Sequence, residues 1–394
     1  MPEYVSGNRL TLLRNGAQYF PALARAIDAA VQEVFLETYI FADDQTGSLL
    51  ADALARAAAR GVGVHLLLDG FGARDFAPRL RDMLRRAGAK VLVYRPKISP
   101  WTLRTNRLRR MHRKLACTDG SIAFVGGINV IDDLHTPGQT PPRFDYAVRI
   151  EGPLTAAVRA EAARLWSRVA WTNIGTRWAG VDAWRGKPRT DAPPASARCP
   201  ENQRAALVVR DNVRHRRDIE HAYYELIESA REEILIACAY FFPGRRFRQA
   251  LARAAARGVR IKLLLQGKVE YVLLHYASRA LYGSLLDAGI EIHEYHKSFM
   301  HAKVVVFDRT RASVGSSNID PFSLLLAREA NVFVDDARFA TELRASLDEA
   351  ITHGARALLP RQWKNQPLAL RARMWTAYGL ARLLVAFFGP DRAY

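Results

Sequence analysis

Two stretches of this 394-residue chain repeat one spacing of reactive side chains: MHRKLACTDGSIAFVGGIN at 111–129 and MHAKVVVFDRTRASVGSSN at 300–318. Both read His-x-Lys-x4-Asp-x6-Gly-x2-Asn. The apolar runs after the lysines predict strands, and a side-chain period of two puts His112 and Lys114 on one face, as it does His301 and Lys303. An imidazole beside an ammonium suits a phosphodiester. Lys114, Lys303 and the amides of Asn129 and Asn318 can bind the non-bridging oxygens and stabilise the added charge of a pentacovalent transition state. A neutral imidazole can attack phosphorus, while a protonated one gives its proton to the leaving alkoxide. One histidine cannot do both at once, so the repetition predicts that the two copies meet at one site across a pseudo-twofold axis.

A working imidazole needs a partner that fixes its tautomer. Downstream of each motif a strand offers an acid, Asp145 in FDYAVRI and Glu329 in REANVFV, 33 and 28 residues past the histidines. Both are assigned as orienters. The motif aspartates Asp119 and Asp308 are counted with the catalytic set, although at strand ends they are expected to fix turns or pair with basic groups rather than take protons. Lesser candidates are Glu37 and Tyr39 on one face of ETYIF, and Asp69 in LLDG. Tyr240 repeats Tyr39, but Cys238 replaces Glu37 and Gln266 replaces Asp69, so any role of those acids is one-sided. No carboxylate or histidine cluster has metal-ligand spacing, and neither a metal nor another cofactor is expected.

The elements that must position these residues are themselves duplicated. ALARAAARGV occurs at 53–62 and again at 250–259, followed by GVHLLLDG and RIKLLLQG and preceded by VFLETYIF and ILIACAYFF. In the first half this predicts strand 34–41, helix 48–60, strand 62–68, helix 75–87 and strand 90–95 before the motif. Such alternation marks an α/β fold, here two α/β/α halves at 1–171 and 205–360. The proline-rich, polar stretch at 172–204 reads as a linker. Beyond it, 361–394 joins basic residues to an aromatic and aliphatic helix between Leu368 and Phe388. Arg371, Arg373 and Arg382 each cost about 2.5–3.5 kcal/mol near a bilayer centre, so this helix is expected to lie in a membrane interface rather than to span it.

Composition narrows the partners. A formal charge of +19, with only nine lysines among the 58 basic residues, points to a polyanion, either nucleic acid or an anionic lipid surface. Lysine is nonetheless kept at both motif positions. Aromatic residues are not interleaved with basic ones as base-stacking platforms require, which disfavours nucleic acid. Cys117, Cys199 and Cys238 lack CxxC spacing and make neither a disulfide framework nor a thiolate cage. MPEYVSGNRLTLLRNG has no apolar core and no small-residue cleavage site, so the chain is expected on the cytoplasmic side.

The paired motifs, with FVGGIN, DYAVRIEGP, YFFPG, VGSSNIDPFSLLLAREANV and LPRQW, resemble the HKD signatures of the phospholipase D superfamily and, within it, bacterial cardiolipin synthases of the B-type. The resemblance implies two phospholipase D-like halves with the site between them, no metal, and a phosphatidyl-histidine intermediate. It also implies transfer of a phosphatidyl group from one phosphatidylglycerol to another, with release of glycerol, at the cytoplasmic face of the bacterial inner membrane. The anionic phospholipid surface is then the partner and nucleic acid is not; a phosphodiesterase that hydrolyses phospholipid or nucleic acid is the alternative. His112 matches the usual nucleophile and His301 the acid and base. Many copies of the signature have serine where this chain has Gly127, so a hydroxyl contact to phosphate is expected only from Ser316.

Overall fold

The computed structural model describes residues 2–96, 109–134, 136, 140–173, 199–211, 214–320 and 327–388. Most of the expected linker, 174–198, lies outside them. The first half runs β1 (Val5–Arg14), α1 (Asn15–Ala29), β2 (Glu33–Thr38), α2 (Gln45–Ala59), β3 (Gly63–Asp69), α3 (Pro78–Arg86), β4 (Lys90–Tyr94), β5 (Arg110–Met111), β6 (Lys114–Thr118), β7 (Ile122–Gly126), β8 (Tyr146–Glu151) and α4 (Leu154–Asn173). The second runs β9 (Gln203–Arg210), α5 (Asp218–Ser229), β10 (Glu233–Cys238), α6 (Arg245–Ala256), β11 (Arg260–Gln266), α7 (Val272–Arg279), α8 (Tyr282–Asp287), β12 (Glu291–Tyr295), β13 (Lys303–Phe307), β14 (Arg311–Gly315), β15 (Ala327–Asp335) and α9 (Ala337–Gly354). It is followed by β16 (Ala355–Ala357), α10 (Pro360–Lys364) and α11 (Leu368–Phe388).

One sheet carries both halves, in the order β16-β12-β11-β10-β13-β14-β15-β9-β1-β8-β7-β6-β2-β3-β4. Apart from the edge strand β16, the order from each edge to the middle is equivalent, so the pseudo-twofold falls between β9 and β1. Those two strands pair antiparallel through Val5↔Ala205 and Asn8↔Gln203. Helices α1 to α3 cover one face of the first half, and α5 and α6 the corresponding face of the second. Helices α4 and α9 share a core on the other face, drawn from strands of both halves, and the Tyr146 hydroxyl meets Ser346 Oγ at 2.6 Å across it.

The repeated decapeptide does the same job twice. Its apolar positions, Ala53, Leu54 and Ala57 in α2 and Ala250, Leu251 and Ala254 in α6, are buried. Gly61 (φ 89°) and Gly258 (φ 91°) take the left-handed conformation that ends each helix. Arg60 then donates to the carbonyls of Ile27, Asp28 and Ala30, and Arg257 to those of Ile227, Glu228 and Ala230. Each arginine thereby satisfies carbonyls at the C-terminus of the preceding helix, α1 or α5.

Helix α11 has the expected bounds, and it packs on the protein with one stripe. Met374, Ala377, Ala381 and Val385 are buried, with Ala377 and Ala381 against Phe242, Ala277 and Leu281. An opposite stripe faces out: Leu368, Trp375 and Leu383 are 80%, 56% and 54% exposed, and Arg371, Arg373 and Arg382 are exposed as well. No described helix is long and apolar enough to cross a membrane.

Candidate active site

Strands β6 and β13 begin at the two motif lysines, so each histidine sits on the backbone just ahead of a strand. That backbone is pinned by the opposite half. His112 N and Arg113 N donate to the Arg328 carbonyl at 3.0 and 2.9 Å, and His301 N donates to the Phe144 carbonyl at 2.8 Å. Arg328 and Phe144 are the residues immediately before the two orienting acids. Preceding residues are held too: Met111 N donates to Asp69 at 2.8 Å, and Gln266 Nε2 donates to the Met300 carbonyl at 3.1 Å. The Asp69-to-Gln266 exchange therefore keeps one task, with the polarity of the hydrogen bond reversed.

Side chains cross in the same sense. His112 Nδ1 lies 2.9 Å from Glu329 Oε1, and His301 Nδ1 lies 2.7 Å from Asp145 Oδ2. The acid downstream of each motif thus serves the other motif's histidine, not its own. An ionised carboxylate only accepts, so Nδ1 carries the proton and Nε2 keeps its lone pair.

Burial dominates the electrostatics. It lowers His112 from the ordinary imidazole value, with Lys114 adding to the effect and Glu329 opposing it. His301 is pushed well below that value by burial, then by Lys303 and Lys114. Lys114 falls to about 7 and Lys303 is also lowered, in each case mainly through burial, whereas burial raises Asp145 to about 6. Lys114 Nζ donates to the His112 carbonyl at 2.6 Å, and Lys303 Nζ donates to the His301 carbonyl and lies 3.0 Å from its Nδ1. Tyr39 closes one side, with its ring 4.9 Å from the His112 imidazole, edge to face, and 5.4 Å from Lys114 Nζ.

Other expected residues are placed differently. Glu37 takes no part at the histidines: it pairs with the buried Arg113, which also binds Glu161 at 2.7 Å. Tyr240 donates its hydroxyl to Glu270 and packs at a tilt against Tyr271, rather than repeating the contact of Tyr39 with its histidine. The Ser316 hydroxyl donates to Glu329 and accepts from Ala330 N at 3.1 Å, so it supports an orienter. At Gly127 a Cβ would lie 2.4 to 2.8 Å from the Asp145 carboxyl. Asp145, one methylene shorter than Glu329, occupies the space that a serine side chain would need. Asn129 and Asn318 are buried, and the Asn129 amide oxygen accepts from Ile40 N at 3.2 Å.

The Arg113 network and the pinning carbonyls were not anticipated from the sequence. A signal for the first existed: Arg113 and Glu37 occur together in one half, and Ala302 and Cys238 stand at the matching positions of the other.

A family model described as "Cardiolipin synthase, PLD-like domain" matches residues 23–166 and 223–351, well over half of the chain. The chain is also 40% identical over 365 residues to cardiolipin synthase B of Escherichia coli (strain K12), covering 91% of this chain and 85% of that protein. It belongs to the cardiolipin synthase family of phospholipase D-like proteins. A probable cardiolipin synthase of Bacillus subtilis (strain 168) is 31% identical over 344 residues, 87% of this chain and 66% of the relative. The fold matches the crystal structure of phosphatidylserine synthase from Haemophilus influenzae with a TM-score of 0.70 at 11% identity, over 97% of this chain and 96% of that one.

Of the phospholipase D signature, the aspartates stand apart from the histidines. Asp119 accepts from the backbone N–H groups of Val31, Gln32 and Glu33, and Asp308 from those of Arg231, Glu232 and Glu233. Both lie at positive φ, 50° and 49°. Each holds the turn that enters β2 or β10. Among the described residues no group of three or more His, Cys, Asp or Glu is arranged to hold a metal ion.

Proposed function

We propose that this chain is a phosphatidyltransferase that makes cardiolipin and glycerol from two molecules of phosphatidylglycerol. The crossed pairing of His112 with Glu329 and His301 with Asp145 carries the chemistry, and family membership carries the substrate. His112 Nε2 attacks the donor phosphorus, a P–N bond forms, and the P–O bond to the headgroup glycerol breaks. His301, protonated on Nε2, gives its proton to that glycerol oxygen. Neutral His301 then takes the proton from a hydroxyl of the second phosphatidylglycerol as its oxygen attacks phosphorus, and His112 leaves unmodified.

The depressed pKa of His301 fits this order. Burial, then Lys303 and Lys114, oppose its protonation, and the negative diester offsets the charge of the two lysines, which favours uptake of the proton when substrate binds. His112, with side-chain exposure of 17% against 9% for His301, is the more open to attack a lipid.

We further propose that the enzyme works from the surface of an anionic membrane, on its cytoplasmic face. Support comes from the outward face of α11, where Trp375 and Leu383 stand among exposed arginines, and from the exposed Tyr271 and Val272 at the neighbouring start of α7. Apolar insertion and about 1 kcal/mol per basic residue near the surface combine there. The test is to incubate the protein with labelled phosphatidylglycerol in vesicles and identify every product. Cardiolipin with an equivalent of glycerol is expected; phosphatidic acid alone would make the chain a hydrolase.

A further inference from the structure

Arg328 and Glu329 are successive residues of β15, so their side chains leave opposite faces of the sheet. Glu329 goes to His112. Arg328 goes into a separate cavity of about 800 Å³, lined on its basic side by Arg164 and Arg168 of α4, Arg214 and His215 after β9, and Arg328 itself. The volume is that of an ordinary small-molecule site.

The charge in this cavity is not balanced. Its two carboxylates are engaged: Glu161 holds Arg113 and Arg164 at 2.7 Å each, and Asp211 accepts from the backbone N–H groups of Arg214 and His215 at 2.8 and 2.9 Å. Arg328 is only 5% exposed, yet its Nε has no hydrogen-bond partner among the described residues. A buried guanidinium N–H left unmatched is destabilising, and an anion would satisfy it. Nearby, Arg109 is lowered from the ordinary guanidinium value by burial and then by Arg95, with Arg216 and Arg328 adding to it. Among the described residues that line the cavity, four arginines meet two carboxylates.

We propose that this cavity is a second anion site, distinct from the paired histidines, that takes a phosphate ester, with Arg328 donating from the floor and Arg168 and Arg214 from the rim. Guanidinium groups suit it because their planar forks match phosphate oxygens. The site stands independently of the transfer reaction proposed above. It also touches the catalytic machinery through one residue: the Arg328 carbonyl accepts from His112 N and Arg113 N, so an anion that fixes Arg328 also fixes the backbone ahead of His112.

The test is calorimetric titration of the full chain in a His112→Ala background, which prevents turnover, with inorganic phosphate and with dihexanoyl phosphatidylglycerol as probes. Two classes of phosphate site are expected, one of them weakened at least tenfold by Arg168→Glu with Arg214→Glu. Both of those residues are exposed, so the fold should tolerate the change. Arg328→Gln should weaken the same class, and the rim pair decides alone if that variant does not fold. Displacement of phosphate from this class by the lipid would identify a headgroup site, and phosphate binding there without displacement a site for the free anion; either result supports the proposal. One class of site in the parent protein, or two classes unchanged by the rim pair, would overturn it.

Discussion

His112 and His301 are oriented by carboxylates from the opposite halves of the chain, and this has measurable consequences residue by residue. Glu329→Gln removes the acceptor that holds the His112 proton on Nδ1, and should lower the rate of covalent labelling by about 10²- to 10⁴-fold. Asp145→Asn should slow the breakdown of the labelled intermediate as well as its formation, because His301 is the base of the second step and the acid of the first. Rapid-quench kinetics of both variants separate the two effects. The pH profile of kcat/KM reads the same residues. Asp145 is raised to about 6, so its charge, and with it the hold on His301, is lost as pH falls through that value. Lys114 is lowered to about 7, so the ammonium that binds phosphate is lost as pH rises through it. A narrow optimum between these limbs is expected with a short-chain donor; a plateau extending to pH 9 would mean that Lys114 keeps its proton in the free enzyme.

At the scale of elements, the motif aspartates fasten turns rather than move protons. Asp119→Ala leaves the N–H groups of Val31, Gln32 and Glu33 without their acceptor, and should cost about 1–3 kcal/mol of stability. Thermal unfolding should show that loss while kcat per folded molecule stays near the parent value; a hundredfold fall in kcat would return the residue to the chemistry. Helix α11 divides its residues between two tasks. Its stripe against Phe242, Ala277 and Leu281 fastens it to the protein, which makes deletion of the helix a blunt instrument. Trp375→Glu with Leu383→Glu alters only the outer face. That pair should release the protein from phosphatidylglycerol vesicles in a sedimentation assay and leave cleavage of a soluble short-chain donor within about twofold. Undiminished sedimentation would remove α11 from the membrane contact.

At the scale of the whole molecule, the sequence made the duplication legible because both copies keep the same residues for the same tasks: ALARAAARGV to end and cap helices, His-x-Lys to build a site. Pairing was less legible. Which acid meets which histidine depends on β5 reaching β15 and on Phe144 reaching Met300, contacts between segments 217 and 156 residues apart that no local period reports. The chemistry assigned to Lys114 and Lys303 needs no divalent ion, so turnover should persist in excess chelator, and a loss restored by one divalent cation would count against it. The central claim is that two histidines share one phosphorus, one as nucleophile and one as proton carrier. It is tested most directly by incubating the His301→Ala protein with a donor labelled in its phosphatidyl group, then digesting and mapping the label. The account predicts an acid-labile, base-stable phosphoamidate on His112 that accumulates without release of cardiolipin. Label on His301 in the His112→Ala protein, or no covalent label in the parent or either variant, would contradict it.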